Sequence, residues 1–304
     1  MITDNKETRR RHKTYQELDF TDDFMFKKVL RSNDKLCKAL IELLLGVKVK
    51  SIHYKNDDHS ITPSPESRGV RLDVYLDDED NTVFDLEMQN RLEIDLPRRT
   101  RYYQSMIDIE HLSKGEWYDK LPDSYIVFIC MFDPYGKGLH KYEFKGLCVQ
   151  DTSIELGDGA SKVYINALSR ESDMSDDMRA FLDFLCGSDA RSDLTREIAE
   201  TVERAKAVRP WEAEYMQWME IISLAEQDAR REGHTEGHAE GHAEGLAEGR
   251  AEGRAEGRAE GRAEGVFESV DKLVAGGIMD ADKACELLGI SIEAYSAHCS
   301  HSDK

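Results

Sequence analysis

Residues Arg71–Gln89 read R-L-D-V-Y-L-D-D-E-D-N-T-V-F-D-L-E-M-Q, and their apolar/polar alternation predicts two short strands joined by a turn. Successive side chains of a strand point to opposite faces. Val70, Leu72, Val74 and Leu76 are therefore expected on one face, with Arg71, Asp73, Tyr75 and Asp77 on the other. On the second strand Phe84, Leu86 and Met88 form the apolar set, opposite Val83, Asp85, Glu87 and Gln89. A turn centred on Asp80 sets Asp73 directly across from Glu87, with Cβ atoms about 4.5–5.5 Å apart. Two carboxylates that close repel unless one takes a proton or a cation sits between them. A divalent metal ion is the functional answer. The plainer alternative is that Asp73, Asp85 and Glu87 form the solvated face of a hairpin, with Asp85 at its rim and Tyr75 and Tyr103 as packing residues.

Helical spacing predicts helices over Asp22–Leu30 and Asp34–Leu45, the second with Leu36, Leu40, Leu43 and Leu44 in register and Gly46 as its stop. Val47–Tyr54 has strand character and is followed by a polar loop containing Pro63 and Pro65. Beyond the hairpin, Pro97 suits the first turn of a helix reaching about Leu112. Ser124–Phe132 is a run of β-branched and aromatic residues that fits a buried central strand. Tyr142–Val149 and Lys162–Leu168 read as further strands. The pattern is helical from Ser175 to about Arg231, with interruptions expected near Gly187 and at Pro210. Alternating strands and helices over the first 170 residues imply an α/β layer with a mixed sheet.

The apolar fraction of 40% supports a core up to about residue 230. The six cysteines are scattered without a C-x-x-C pair, which argues against a disulfide framework or a zinc ribbon and fits a reducing cytosol. The polar, charged N-terminus lacks a signal-peptide pattern, and the longest apolar run, Tyr125–Phe132, is too short for a membrane span. A soluble, cytoplasmic protein with no membrane partner is expected. The net charge of −20 counts against indiscriminate nucleic-acid binding, because affinity for DNA comes largely from Lys and Arg on phosphates. Basic residues are local: Arg9-Arg10-Arg11-His12-Lys13, and Arg98, Arg99 and Arg101.

Glu232–Gly265 carries glycine at every fourth position from Gly233 to Gly265, mostly in units of A-E-G-R or A-E-G-H. Each Gly costs a helix about 1 kcal/mol relative to Ala. Period four also stacks like charges at i,i+4, where they repel, and each unit drifts about 40° around a helix of 3.6 residues per turn. The segment is expected to be a marginal helix or flexible spacer, with self-association along the glycine column as the functional alternative. His234, His238 and His242 have a spacing that suits metal on one helical face, but they occupy the slot filled later by Leu246 and Arg250. Val266–Tyr295 returns to amphipathic patterning as helix, Gly-Gly, helix, turn and short helix. This resembles a small helix-turn-helix unit, yet its few basic residues favour docking or oligomerisation over DNA contact.

An Asp ending one strand, then an acidic residue, a spacer and a polar residue on the next, resembles the PD-(D/E)xK nuclease core. More closely, the chain resembles the recombination-promoting nuclease (Rpn) and transposase family. T-D-D-F-M-F-K-K-V-L (Thr21–Leu30) is similar to its N-terminal helix signature, and L-P-R-R-T-R-Y-Y (Leu96–Tyr103) to its Arg/Tyr helix. The helical tail and Glu/Gly repeat resemble its C-terminal half. The resemblance implies a restriction-endonuclease-like mixed sheet flanked by helices, followed by a helical C-terminal region with the four-residue repeat. The corresponding division is a lead-in over 1–16, a nuclease core over 17–170, a helical extension over 171–231, the repeat over 232–265 and a small helical element over 266–304.

The implied activity is metal-dependent DNA endonuclease chemistry, with Mg2+ or another divalent cation held by Asp73, Glu87 and the backbone carbonyl of Met88. The third motif position, normally Lys, is Gln89, a substitution the family pattern accepts. Arg99 is the cation expected to stand in, and Asp23 matches an acidic position that holds a metal-bound water. Two alternatives stand beside this reading. One is a nuclease-fold DNA-binding or regulatory protein with weak or no catalysis. The other is an oligomeric interaction protein organised by the repeat.

Overall fold

A computed structural model describes residues 12–54, 60–62 and 69–302. Arg9–Arg11 and the loop with Pro63 and Pro65 lie outside the described residues. The contact pattern divides the chain into two units, Met1–Met219 and Glu220–Lys304.

The first unit is built on a six-stranded mixed sheet. Its strands are β1 (His53–Tyr54), β4 (Val74–Asp77), β5 (Val83–Gln89), β6 (Ser124–Cys130), β7 (Lys141–Phe144) and β8 (Ala160–Asn166), in the order β1-β4-β5-β6-β8-β7. β5, β6 and β8 run parallel to one another, whereas β1, β4 and β7 are added antiparallel. β2 (Ser60–Ile61) and β3 (Val70–Arg71) form a separate two-stranded sheet. Six helices accompany these strands: α1 (Asp23–Arg31), α2 (Asp34–Leu45), α3 (Leu96–His111), α4 (Asp176–Leu185), α5 (Asp193–Lys206) and the start of α6 (Arg209–Ala275).

Two clusters sandwich the sheet. One joins Val74, Leu76, Phe84, Leu86, Val127, Ile129, Val163 and Ile165 to apolar residues of α1, α2, α4 and α5. The other joins Tyr75, Val83, Ile126, Phe128 and Tyr164 to Leu96, Tyr103, Met106 and Ile107 of α3. Helices thus cover both faces, the condition under which parallel strands are stable. β5 is buried at every position.

The hairpin register follows the sequence. Val74 pairs with Leu86 and Tyr75 with Asp85, a ladder centred on Asp80 that brings Asp73 opposite Glu87. Asn81, at φ 58°, and the Asp78 carboxylate, which accepts from the backbone N–H of Asp80 and Thr82, shape the turn. The expected alternation fails upstream. Val70 and Leu72 pack in the α3-side cluster, not with Val74 and Leu76. The reason is a break: β3 pairs with β2 in its own sheet, and the chain bends at Leu72–Asp73 before β4 begins.

Other expectations hold in place but not in extent. Gly46 ends α2 at φ 73°, the left-handed conformation glycine adopts without strain. Strand structure in Val47–Tyr54 is limited to His53–Tyr54, and in Tyr142–Val149 it ends at Phe144. Pro210 does not interrupt a helix; it sits in the first turn of α6, where its missing N–H is harmless, and the break falls at Ala207–Val208. Tyr15, assigned from sequence to a polar lead-in, is buried and donates its hydroxyl to the Ala205 carbonyl at 2.7 Å.

In the second unit the repeat is helical, part of the uninterrupted α6. Gly276–Gly277 then turns the chain into α7 (Ala281–Leu288) and α8 (Ile292–Ser302), as the patterning predicts. Val270, Ala284 and Cys285 form a small core here. No described helix is long and apolar enough to cross a membrane.

A Cβ added at Gly249, Gly253, Gly257 or Gly261 meets nothing within 4 Å. Replacing all four by Ala should therefore stabilise this stretch by about 1 kcal/mol per site. Thermal unfolding followed by far-UV circular dichroism will read this as a higher helical midpoint, and an unchanged or lower midpoint would refute it.

Candidate active site

The site forms where β5 ends between α3 and α1. Asp85, Glu87 and Gln89 project from one side of β5, the side that meets α3. They are not a solvated hairpin face, and Asp85 is not at a rim: the three are 0%, 2% and 5% exposed. Sheet order explains this, because β5 is interior and α3 covers the face that an isolated hairpin would leave open.

Glu87 Oε1 accepts from the Asp73 backbone N–H at 3.0 Å. Its other oxygen takes Arg99 Nη2 at 2.9 Å. Arg99 also donates Nη1 to Gln89 Oε1 and to Glu93 Oε2, each at 3.1 Å, and Nε to the Tyr103 hydroxyl at 3.0 Å. The guanidinium lies over the rings of Tyr103 and Phe128, 5.2 and 5.3 Å from their centroids. Gln89 is held at its other end too, donating Nε2 to the Arg91 carbonyl at 2.6 Å. Asp73 is met from the α1 side, where Lys27 Nζ lies 2.6 Å from Oδ1. Asn90 ties this end of β5 to the segment before α1 by donating to the Thr21 carbonyl at 2.8 Å.

Asp23 and Lys27 are i and i+4 on α1 and so share a helical face. Asp23 keeps exposed surface. Loss of water around its carboxyl, then the neighbouring Asp73 carboxylate, push its pKa up to about 6. The carbonyl of Met88 faces the β4 side of β5. Gln89 directs its carbonyl to Met131 beyond β6, and successive carbonyls of a strand alternate.

The structure therefore gathers Asp23, Asp73, Glu87, Gln89 and Arg99, all expected from sequence, around the end of β5. It adds two residues that sequence reasoning left aside. Lys27 was signalled only by its place one helical turn after Asp23. Asp85 is the more unusual, since both its carboxylate oxygens are buried without a hydrogen-bond partner among the described residues. Burial first, then the Asp73 carboxylate, raise the Asp85 pKa well above the ordinary range, against the pull of Arg99 and Lys27. Glu87 is raised by burial, then by Asp73 and Asp85.

The donor set is all oxygen, which suits a hard divalent cation. The orphaned Asp85 carboxylate is the feature such an ion would relieve. In the present arrangement, however, Lys27 and Arg99 are the cations on Asp73 and Glu87. No group of three or more His, Cys, Asp or Glu among the described residues is set to hold a metal.

A mixed sheet that sets an Asp beside an acidic and a polar residue on the adjacent strand is the arrangement of a PD-(D/E)XK nuclease. Residues 20–170 match the family described as PD-(D/E)XK nuclease family transposase, and the chain belongs to that family over this span. No curated protein and no solved structure matches the chain. Membership supports a nuclease- or transposase-like function, with DNA the implied substrate, and nucleases of this class generally use divalent metal ions.

Because folding holds the protons of Asp85, Glu87 and Asp23 more tightly than the unfolded chain does, the native state binds more protons between the two sets of pKa values. Stability should then fall as pH rises through the raised native values, the reverse of a salt-bridged carboxylate. In chelator-treated protein, Asp85→Asn should raise stability at pH 7.5 by more than about 1 kcal/mol, the worth of a single pKa unit, because a neutral amide has no proton to take up and no charge to bury. The gain should shrink toward pH 3, below the ordinary carboxylate range, where wild-type Asp85 is protonated in both states. Urea denaturation at the two pH values will measure it, and equal gains at both would reject the argument.

Proposed function

We propose that this chain is a metal-dependent endodeoxyribonuclease of the Rpn type, built on a restriction-endonuclease-like core over residues 17–170. The observation that carries the reading is the pairing of Asp73 with Glu87 beside a buried Asp85 that no group among the described residues satisfies. Asp73, Glu87 and the Met88 carbonyl would hold Mg2+ or a similar ion, with Asp85 behind them. When bound there, such an ion polarises a phosphoryl oxygen and lowers the pKa of an attacking water.

The remaining work falls to the protein. Arg99 fixes Glu87 and Gln89 in place, so the carboxylate does not drift when Asp73 changes partner. Asp23, with its pKa near 6, is suited to accept a hydrogen bond from the attacking water and orient it. In the reaction the water oxygen bonds to phosphorus, the bond to one bridging ester oxygen breaks, and a proton passes to that leaving oxygen. Arg91, Arg98 and Arg101 are exposed on the loop and helix that follow β5 and can meet flanking phosphates within an otherwise acidic chain. A cytoplasmic, recombination-associated role accords with this chemistry, and α6 to α8 offer surfaces for self-association.

A second reading has its own support. Lys27 and Arg99 already occupy the carboxylates, and Gln89 is neutral, as in a nuclease fold retained for DNA binding or regulation without turnover.

Plasmid nicking decides between them. Wild-type protein should nick supercoiled DNA in Mg2+ or Mn2+ and stop when EDTA is added. Asp73→Ala and Glu87→Ala should each slow nicking by at least about a hundredfold, since each removes part of the metal's support. Nicking that persists in EDTA or in the combined Asp73→Ala, Glu87→Ala protein would exclude the mechanism, and DNA binding without cleavage in any divalent ion would favour the second reading.

A further inference from the structure

The two cations of the site differ in what else they hold. Arg99 donates to four acceptors on Glu87, Gln89, Glu93 and Tyr103. A guanidinium has five N–H donors in a rigid fork, so most of its capacity is spent joining β5 to α3. Gln89 is equally committed, with its amide nitrogen on the Arg91 carbonyl and its oxygen on Arg99. Neither has much left for a substrate.

Lys27 is placed differently. Its ammonium is a compact charge on a flexible stem. It reaches Asp73 Oδ1 from α1, in an ion pair whose two side chains are 17% and 13% exposed. A point contact of this kind can change partners without dismantling the strand and helix around it. The groups that face it are Asp73 just before β4, Asp23 on its own helix, Asp85 on β5 and the Arg99 charge on α3.

We propose that Lys27 supplies, from α1, the positive charge that the neutral Gln89 does not. When Asp73 takes a divalent ion, the Lys27 ammonium leaves the carboxylate and pairs with a non-bridging oxygen of the scissile phosphate. No proton passes through Lys27; it neutralises charge that builds on the phosphoryl oxygens as the water attacks. The assignment rests on the nuclease reading above. It further requires that Lys27 and the metal compete for Asp73, a consequence a purely structural ion pair would not share with catalysis.

The test uses the full chain with Lys27→Met, Gln89→Lys and the double substitution, and Lys27→Gln as a variant that keeps a hydrogen bond to Asp73 should the methionine fail to fold. Nicking is measured in Mg2+ and Mn2+, Mn2+ affinity by isothermal titration calorimetry, and folding by circular dichroism. Folded Lys27→Met or Lys27→Gln should nick about 10²–10³-fold more slowly, the loss typical of one preorganised donor, yet bind Mn2+ more tightly than wild type. Adding Gln89→Lys should restore at least about a tenth of the wild-type rate, because charge returns at the neighbouring motif position. A folded Lys27 variant that nicks within about threefold of wild type overturns the assignment alone. So does one that loses Mn2+ affinity together with activity. Wild-type protein that neither binds a divalent ion nor cuts DNA removes the nuclease reading, and the assignment with it.

Discussion

Everything at this site depends on placing acidic residues in the middle of a sheet. β5 is flanked by β4 and β6 and covered on both faces, yet its α3-facing side carries Asp85, Glu87 and Gln89 in succession. Burying ionised carboxylates without partners is expensive, and breaking a buried pair leaves an uncompensated charge. Arg99 is the compensation. One guanidinium engages the strand through Glu87 and Gln89, the loop through Glu93 and its own helix through Tyr103, stacked on aromatic rings that are themselves core. The position of α3 on the sheet and the charge balance of the site are thus one problem solved once.

That solution leaves the site acidic. Asp23, Asp73, Asp85 and Glu87 share Lys27 and Arg99, and the raised pKa values of Asp23, Asp85 and Glu87 follow from burial first and from that shortfall second. A protein interior of this kind draws in cations and repels bare phosphate. Family membership over residues 20–170 accords with the arrangement, because a divalent ion bound as proposed would convert the same cluster from a barrier against DNA into an anchor for it.

Much of this was legible in the sequence. The opposition of Asp73 and Glu87 needed only a period of two and a turn around Asp80. α2 could be read to its last residue from leucine spacing and Gly46. What escaped was non-local. The break at Leu72–Asp73 arises because β3 pairs with β2, a partner that alternation within one segment cannot reveal. Asp85 looked like a rim residue because a hairpin read by itself has an outer face, whereas here α3 closes over it. Lys27 lies on another element and meets Asp73 only through tertiary packing. The repeat shows the opposite case. Its glycines argue against helix one by one, yet Ala, Glu and Arg around them leave α6 continuous from Arg209 to Ala275.

The break before β4 has one more consequence. Glu87 belongs to a seven-residue strand with neighbours on both sides, while Asp73 precedes the first ladder position of a four-residue strand. The two carboxylates are therefore mounted with unequal stiffness, one in the frame of the sheet and one on a bend. A cation shared between them would meet one fixed ligand and one that yields. Sites with rigid ligands on all sides select ions by radius; a site with a compliant side accommodates several. If the pair holds a metal as proposed, the kink that disturbs the strand's alternation would widen the range of divalent ions it accepts.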